Sequence, residues 1–454
     1  MTTAISKKTT TTSKESLVVI CKTFKNNASF NLTKDQVDYI LNDIKKNDKK
    51  VITINTLSRI FSIILIDEQK EHYKNLETIR KHGASITDVV NSEKHTTVSI
   101  INELQNADYS LALAEGLALA NYQFIKHKPS DAKKVNTLKT INVIDSKVTS
   151  QHISNLSIAI DATLKARDLV NEPVNHLNAT QLSQAFKNMG KQAGFTVEVY
   201  NKAKIKQLKM GGLLAVNQGS VDEPTFSIME YKPKNAKNKK PYVLVGKGVV
   251  YDTGGLSLKP TPNRMDLMKC DMAGAAAVGC TMYAIAKAKL NVHVIALVPA
   301  TDNRPGFNAF APGDIITMMD GSTVEMLNSD AEGRMILADA LHFAKKYNPE
   351  MAIELSTLTG AAAAAIGQYG IVSMGTSTDE QKTKLTVSGL RMHERLVEFP
   401  FWDEYAELVK SDIADQKNLG GPYGGAITAG KFLEKFTNYP YMHFDIAGPA
   451  FVTA

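Results

Sequence analysis

Short apolar runs alternate with helical patterns along this chain, and the alternation limits the fold to the α/β class. In the second half, apolar runs at Tyr242–Val245, Val292–Val298 and Met351–Leu355 have the length of buried parallel strands. Helical patterns at Ala273–Ala288 and Met335–Lys346 fill the intervals between these runs. The sequence therefore predicts a large domain built on a mainly parallel sheet.

The first third of the chain shows the same alternation. Ile60–Ile66, Val98–Ile101 and Thr140–Ile144 are predicted strands, and Ala107–Lys126 is a predicted helix. A chain of 454 residues exceeds one typical hydrophobic core. We therefore expect a separate, smaller α/β domain at the N-terminus.

A long helical pattern covers residues 150–171 and ends before Pro173, as helices usually do ahead of proline. We interpret it as the helix that links the domains, with residues 17–149 as the smaller domain and residues 172–454 as the larger one. Residues 1–16 are rich in Thr, Ser and Lys, a composition that predicts disorder. In the larger domain, Asp320-Gly321 predicts a hairpin turn, and we expect the sheet to be mixed but mainly parallel.

Composition excludes several classes of protein. The net charge is +7, but the lysines are scattered, so we expect a solvated surface and no nucleic-acid partner. Cys21, Cys270 and Cys280 form no CxxC pair, which favours a reducing compartment over a disulfide framework. No apolar stretch approaches the ~18–20 residues that cross a bilayer, and the first residues lack the apolar region of a signal peptide. The sequence predicts a cytoplasmic protein without membrane contact.

Three segments of the larger domain place charged residues in glycine-rich or turn sequences beside apolar runs. These segments are VGKGVVYDTGGLSLKP, KCDMAGAAAV and LNSDAEGRMILADAL. Their candidate site residues are Lys247, Asp252, Lys259, Asp271, Asp330, Glu332 and Arg334. Because sites in open α/β sheets gather at the carboxyl ends of strands, we expect these side chains to converge.

The four carboxylates, from Asp252, Asp271, Asp330 and Glu332, would repel each other strongly if they converged without cations. Two divalent ions would balance the four negative charges, and paired-metal sites hold their ions ~3.5–4 Å apart and activate water. Zn²⁺, Mn²⁺ and Mg²⁺ all tolerate such an oxygen-rich set of ligands. Beside these ions the pKa of Lys247 would fall, and a neutral Lys247 could then be a nitrogen ligand.

The remaining cationic residues suggest further roles, and simpler interpretations stay open. Lys259 could remain charged and stabilise an oxyanion, whereas Arg334 offers a planar fork that suits a carboxylate-like anion. Simpler roles are open, however: Asp252, before Thr253-Gly254-Gly255, could be only a turn residue, and Asp271 could be the N-cap of the next helix. Arg334 could equally form a structural pair with Asp330. Spacing alone does not decide between a metal site and these structural roles.

The same segments resemble the leucyl (cytosol) aminopeptidase family of dinuclear metallopeptidases. NSDAEGRM, at Asn328–Met335, is similar to the family signature NTDAEGRL, and GKGVVYDTGGLSLKP and MKCDMAGAAAV are near-complete matches. ARDLVNEPVN at Ala166–Asn175 and STLTGAA at Ser356–Ala362 also match. The resemblance implies that residues 172–454 are a catalytic domain that removes N-terminal residues from peptides, preferably leucine and other apolar ones.

The resemblance also implies a role for each candidate residue. Lys247, Asp252, Asp271 and Glu332 would bind one ion, and Asp252, Asp330 and Glu332 would bind the second. The catalytic pair would be Lys259, which polarises the substrate carbonyl, and Arg334, which holds a bicarbonate. Substrate would contact Met268, Thr357, Leu358, Gly360 and Ala447.

Assembly and the N-terminal domain are the remaining expectations from the resemblance. It implies a homo-hexamer, and some relatives bind DNA through their first domain, so binding of DNA or a small ligand by residues 17–149 is an alternative additional role. The loop PTPNRMD is one residue longer than the usual pattern. The sequence ends at Phe451–Ala454, where family members continue with a glycine-rich stretch and a helix. This departure leaves the rim of the site and the subunit contacts open.

Overall fold

The computed structural model describes residues 3–104, 106–131, 134–262 and 264–450. The C-terminal residues Phe451–Ala454 and position 263 of the PTPNRMD loop, for which the sequence shows departures, lie outside the described residues. The chain divides into two compact units, Met1–Leu164 and Lys165–Ala454. Each unit is an α/β structure, which confirms the predicted fold class.

The N-terminal unit contains a six-stranded sheet in the order β1-β6-β5-β2-β4-β3. Its strands are β1 (Ala4–Lys7), β2 (Ser16–Cys21), β3 (Val51–Asn55), β4 (Ile60–Leu65), β5 (Thr97–Asn102) and β6 (Thr140–Ile144). All neighbours are parallel except β3 and β4. The helices of this part are α1 (Lys34–Asn47), α2 (His72–Ser92) and α3 (Ala107–Ala120).

Strands β2 and β4 are buried on both faces, which explains why their sequences are apolar except for the buried Ser16 and Ser62. Leu17 and Val19 of β2 belong to one core, and Val18 and Ile20 belong to the core on the other face. Successive side chains of a strand point to opposite faces, so a central parallel strand favours apolar residues on both of them.

The disorder predicted for residues 1–16 is wrong for the described part of this segment. Ala4–Lys7 form the edge strand β1, which pairs in parallel with β6 from Thr140 to Val143. Ser6 Oγ also donates a hydrogen bond to Asn142 Oδ1 at 2.9 Å. An edge strand gains its order from backbone hydrogen bonds to a distant segment, and the local Thr-, Ser- and Lys-rich composition carries no sign of that partner.

Helix α4 (Ser150–Asn171) has the bounds expected for the long helical pattern, and the division between the two units falls within it, between Leu164 and Lys165. Helix α3 is shorter than predicted and ends before Asn121 instead of at Lys126. The side chain of Asn121 donates hydrogen bonds from Nδ2 to Leu138 O at 2.8 Å and to Thr3 Oγ1 at 2.9 Å. These contacts with distant segments end the helix. Among the described residues, no helix combines the length and apolarity needed to cross a bilayer.

The second unit is built on a nine-stranded sheet in the order β16-β15-β18-β14-β9-β11-β8-β7, with β10 also paired to β11. The strands of this sheet and of a small three-stranded one are β7 (Thr196–Tyr200), β8 (Thr225–Tyr231), β9 (Tyr242–Gly246), β10 (Gly248–Asp252), β11 (Val294–Asn303), β12 (Asp314–Thr317), β13 (Thr323–Met326), β14 (Met351–Ser356), β15 (Ile371–Gly375), β16 (Leu396–Glu398), β17 (Gln416–Lys417) and β18 (Tyr441–Asp445). The predicted hairpin is confirmed, because β12 and β13 are antiparallel around Gly321, whose φ is +88°.

The helices of this unit are α5 (Ala179–Ala193), α6 (Lys202–Gln207), α7 (Gly211–Asn217), α8 (Ala273–Lys287), α9 (Gly333–Ala344), α10 (Gly360–Ile366), α11 (Asp379–Met392), α12 (Glu404–Glu407) and α13 (Gly425–Glu434). They pack against the sheet, except α12, which packs against α13. The predicted helices in this part correspond to α8 and α9, within two residues at each end.

Parallel strands β10, β11, β9, β14 and β18 form the centre of the large sheet, and antiparallel pairs occur toward its edges. Val243 and Val245 of β9 pack with Ile336 and Ala340 of α9 in the main core. Because the central strands are parallel, their carboxyl ends share one edge of the sheet, and the charged segments identified in the sequence follow these ends.

Candidate active site

The candidate site is assembled from loops at the carboxyl edge of the large sheet. Lys247 directly follows β9, and Asp252 is the last residue of β10. Asp271 lies between the short 3-10 helix Met265–Cys270 and α8, and it does not cap α8, whose N-cap residue is Met272. Glu332 is the residue before α9. The strand order brings all of these segments together, as the sequence predicts.

A glycine makes room for one of the lysines. At Gly333, the first residue of α9, a Cβ atom would lie 2.6 Å from Lys247 Cε and 2.7 Å from Lys247 Nζ. Any larger residue would therefore displace the Lys247 side chain or the start of α9. The glycine of the NSDAEGRM segment is needed for this close approach.

Lysines and carboxylates are interleaved in the site. Lys247 Nζ lies 2.8 Å from Asp271 Oδ1 and 2.9 Å from Glu332 Oε1. Lys259 Nζ lies 2.8 Å from Asp252 Oδ2 and contacts Asp330 Oδ1. The structure therefore brings together all five predicted metal ligands and Lys259. Each lysine separates two carboxylates that would otherwise face each other.

The oxygen atoms of this cluster fit a divalent cation. Asp252, Asp271 and Glu332 each offer a ligand atom, and these atoms lie within 4.8 Å of one another. The three side chains are at most 3% exposed. Asp271 Oδ2 and Glu332 Oε2 are buried and have no hydrogen-bond partner among the described residues. Buried carboxylate oxygens without donors are costly unless a cation compensates them.

The pKa values of the carboxylates show the same excess of negative charge. Burial, together with the neighbouring Asp252, raises the pKa of Glu332 to about 8. Burial raises the pKa of Asp271 to about 6 in spite of the nearby Lys247. Burial and Asp252 also raise the pKa of Asp330. The two lysines therefore do not compensate the four carboxylates, and the site retains a preference for further positive charge.

Both lysines are charged in this arrangement. Burial opposes the charge of Lys247, but the carboxylates of Asp271 and Glu332 outweigh burial and raise its pKa above the usual value. Lys259 behaves in the same way, because Asp252 and the neighbouring acids outweigh burial. The interpretation of Lys247 as a neutral nitrogen ligand applies to a metal-bound state and stays a prediction.

Two polar residues hold the carboxylates in place. Asn303, at the end of β11, donates hydrogen bonds from Nδ2 to Asp252 Oδ1 and to Ser329 O, both at 2.9 Å. Thr357 donates from Oγ1 to Asp271 Oδ1 at 2.7 Å and accepts a hydrogen bond from Lys247 Nζ at its backbone oxygen. Sequence reasoning missed Asn303 because the predicted strand ended at Val298. Continuation of that strand to its first polar residues would have placed Asn303 at the sheet edge.

A pocket of about 270 Å³ opens above the cluster. Its floor includes Lys247, Asp252, Lys259, Asp271 and Asp330. The predicted substrate-contacting residues, Met268, Thr357, Leu358, Gly360 and Ala447, all line it. Arg264, Thr359 and Ala363 also line the pocket and were not predicted. The pocket thus joins an acidic floor to walls that contain several apolar groups, although contact with substrate stays a prediction.

Two predicted site residues do not line this pocket. Glu332 lies beneath the floor with 1% of its surface exposed. Arg334 is 5% exposed, and its guanidinium donates a hydrogen bond to Asn418 O at 2.6 Å. Burial lowers the pKa of Arg334 to about 10, against the opposing effect of Glu332 and Asp445. Arg334 thus retains its charge at neutral pH, but its role in anion binding stays a prediction.

Cys270 borders the pocket without the properties of a nucleophile. Burial raises the pKa of its thiol to about 12, so the reactive thiolate is not populated at neutral pH. The chemistry of the pocket therefore depends on the carboxylates and lysines.

Comparison with known proteins places this arrangement in a family. Residues 164–454 match the family model for the catalytic domain of the cytosol aminopeptidase family. A relative described as a probable cytosol aminopeptidase from Chlorobaculum parvum is 54% identical over 291 residues, which are 63% of this chain and 57% of the relative. The matched residues thus span little more than half the length of this relative.

Solved structures extend the similarity to both units. A variant of tomato leucine aminopeptidase superposes with a TM-score of 0.85 at 26% identity, covering 98% of this chain and 92% of that one. The bottromycin maturation enzyme BotP in complex with Mn superposes with a TM-score of 0.83 at 26% identity, covering 96% of this chain and 93% of that one. The family resemblance seen in the sequence is confirmed: this chain belongs to the cytosol aminopeptidase family.

Proposed function

We propose that this protein is an aminopeptidase that uses two divalent cations to hydrolyse the first peptide bond of peptides, with a preference for leucine and other apolar first residues. The observation that carries the proposal is the cluster of buried, undercompensated carboxylates on the floor of an open pocket. The family supports the reaction, and the structural similarity to a Mn complex and to a leucine aminopeptidase supports the metal and the substrate.

Five residues would hold the cations. Lys247, Asp252, Asp271 and Glu332 would bind one ion, whereas Asp252, Asp330 and Glu332 would bind the other. When bound, divalent ions of this kind lower the pKa of water and polarise a carbonyl oxygen. Zn²⁺, Mn²⁺ and Mg²⁺ are all compatible with this oxygen-rich set. Glu332 would serve both ions; it is buried beneath the floor, and its Oε2 atom has no hydrogen-bond donor among the described residues.

Lys259 would supply the positive charge for the reacting carbonyl. Its amine lies at the pocket surface between Asp252 and Asp330, and its side chain is 15% exposed. The carboxylates keep this amine charged. A charged donor fixed at this place can stabilise negative charge that develops on the substrate oxygen. Arg334, which is buried behind the floor, would hold a bicarbonate as a proton acceptor.

The pocket would select the N-terminal end of the substrate. The acidic floor attracts the free amine of a peptide, because the amine is cationic or can serve as a metal ligand. Met268, Leu358, Ala363 and Ala447 supply apolar surface for the first side chain. The volume of about 270 Å³ suits a single side chain of moderate size.

Assembly and location complete the proposal. On the family resemblance we infer a homo-hexamer in the cytoplasm. Neither the comparisons nor the site supports DNA or small-ligand binding by the N-terminal unit as a second function, and we do not propose it.

Removal of the metal ligand Glu332 tests the cation site. We expect Glu332→Gln to lose at least one of two bound divalent ions per chain and to lose activity, because the amide lacks the charge that retains the ion. Elemental analysis of purified protein measures the metal content. Glu380→Gln is the matched control, since Glu380 is an exposed carboxylate of α11 that pairs with Lys384. Full activity of wild-type protein after exhaustive chelation would contradict the proposal.

Removal of Lys259 separates catalysis from metal binding. We expect Lys259→Ala to retain both ions and to lower kcat by ~10²–10³, as for loss of an oxyanion donor. Lys384→Ala, at an exposed lysine of α11, should match the wild type. Loss of metal from Lys259→Ala would show instead that this lysine belongs to the metal ligands.

Acetylation of the substrate tests the exopeptidase function. We expect leucine anilide to be cleaved and acetyl-leucine anilide to be inert, because the acetyl group removes both the charge and the free lone pair of the amine. Release of the aniline is followed by absorbance. Comparable rates for the two compounds would point to an endopeptidase or an esterase.

The assembly is tested by light scattering during gel filtration. We expect a mass near six times 49.6 kDa, since closed symmetry is the rule among homo-oligomers. An active monomer would contradict the hexamer and leave the proposed reaction unaffected.

A further inference from the structure

Asp445 is a buried carboxylate at the edge of the pocket that sequence reasoning did not identify. It is the last residue of β18, it is 1% exposed, and its register partner is Ser356 at the end of β14. It thus lies at the point where the parallel strands β14 and β18 end and the loops that line the pocket begin. Residues 357–360 follow β14, and Ala447 follows β18.

The Asp445 carboxylate joins these two segments of the pocket wall. Oδ1 accepts hydrogen bonds from the backbone N–H groups of Leu358 at 3.2 Å and Ala447 at 3.1 Å, and a longer one of 3.4 Å from Thr359 N. Oδ2 accepts a hydrogen bond from Thr359 Oγ1 at 2.6 Å. Within the described part of the chain, all hydrogen bonds accepted by this carboxylate come from residues that line the pocket.

The strands do not need this side chain for their own pairing. β14 and β18 are joined by a parallel ladder over five residue pairs, and Ile446 N continues it with a hydrogen bond to Ser356 O at 2.8 Å. The carboxylate therefore adds order mainly to the loops beyond the ladder. Hydrogen bonds to an ionised acceptor are stronger than neutral ones. Loss of the Asp445 carboxylate should therefore make the pocket loops more mobile while leaving the sheet intact.

The segment held by Asp445 also adjoins the proposed cation site. Thr357, which precedes Leu358, contacts both Asp271 and Lys247. Leu358 itself packs against the main core and borders the pocket. Movement of Leu358 relative to Ala447 would change the space for a substrate side chain before it disturbed the carboxylates on the floor.

We propose that Asp445 is a positioning residue that fixes the Leu358–Thr359 segment against Ala447 and thereby sets the preference for the size of the first side chain of the peptide. The inference rests on the proposed aminopeptidase function and deepens it. A leucine side chain reaches these walls and depends on their spacing, whereas the methyl group of alanine does not.

The test compares leucine anilide with alanine anilide in Asp445→Asn. The amide has nearly the same shape, but it lacks the charge, and its nitrogen cannot accept the hydrogen bond from Thr359 Oγ1. We expect the ratio of kcat/KM for leucine to that for alanine to fall about tenfold, which is the scale of losing a small apolar contact in a pocket. The change should reside mainly in KM, with two metal ions retained.

Asp339→Asn is the matched control. Asp339 of α9 is also 1% exposed and accepts backbone hydrogen bonds from Leu213 and Met319, both at 3.0 Å, but it does not line the pocket. We expect this variant to lower Tm and to keep the leucine-to-alanine ratio. Equal loss of activity on both anilides in Asp445→Asn, as from general destabilisation, would overturn the inference.

Substitutions at Thr359 keep the inference testable if Asp445→Asn does not fold. Thr359→Val removes the hydroxyl donor and should lower the leucine-to-alanine ratio at least threefold, whereas Thr359→Ser retains the donor and should preserve the ratio. Where Asp445→Asn does fold, adding the valine substitution to it should change the ratio little further. An unchanged ratio in Thr359→Val would contradict the proposed role of the carboxylate.

The wild-type measurement separates the two proposals. If the wild type cleaves neither anilide with its metals bound, the aminopeptidase function fails and this inference fails with it. If the wild type cleaves both anilides and the ratio is the same in all variants, the inference about Asp445 fails alone.

Discussion

Mutual repulsion among carboxylates at one edge of the large sheet is the constraint on which the site depends. Asp252, Asp271 and Glu332 are nearly inaccessible to solvent, and Asp330 lies beside them. A protein retains such a group only with compensating positive charge. Lys247 and Lys259 provide part of this positive charge. The raised pKa values of Asp271 and Glu332 show that the site requires further positive charge. This need for cations connects the fold to the proposed chemistry.

The surrounding structure serves to keep this unfavourable cluster fixed. Asn303 and Thr357 direct hydrogen bonds at individual carboxylate oxygens, and Gly333 leaves the space that Lys247 occupies. Farther out, Asp445 ties together the loops that form the pocket wall. All these residues lie at or just beyond strand ends or at a helix start. The parallel strands thus position the site through their shared carboxyl edge.

Much of this could be predicted from the sequence, because the informative signals are local. The apolar run Tyr242–Val245 predicted the strand that precedes Lys247, although β10, which ends at Asp252, was not among the predicted strands. The charged segments supplied the candidate residues, and the family resemblance supplied their roles. Other features escaped prediction because they depend on partners distant in the sequence, as three examples show. Strand β1 is ordered by β6, Asn303 acquires its role from the register of β11 and β10, and the guanidinium of Arg334 is directed to Asn418 O by a long-range contact.

We infer that the carboxylate cluster binds two divalent cations. A crystal structure of the active protein, from crystals grown with Mn²⁺, tests this most directly. Anomalous scattering locates the ions without assumptions about their ligands. We predict two anomalous peaks per chain, both bordered by Asp252 and Glu332, with Lys247 no longer paired to Asp271. An active protein with no peak in the cluster, and with both lysines still paired to the carboxylates, would contradict the account.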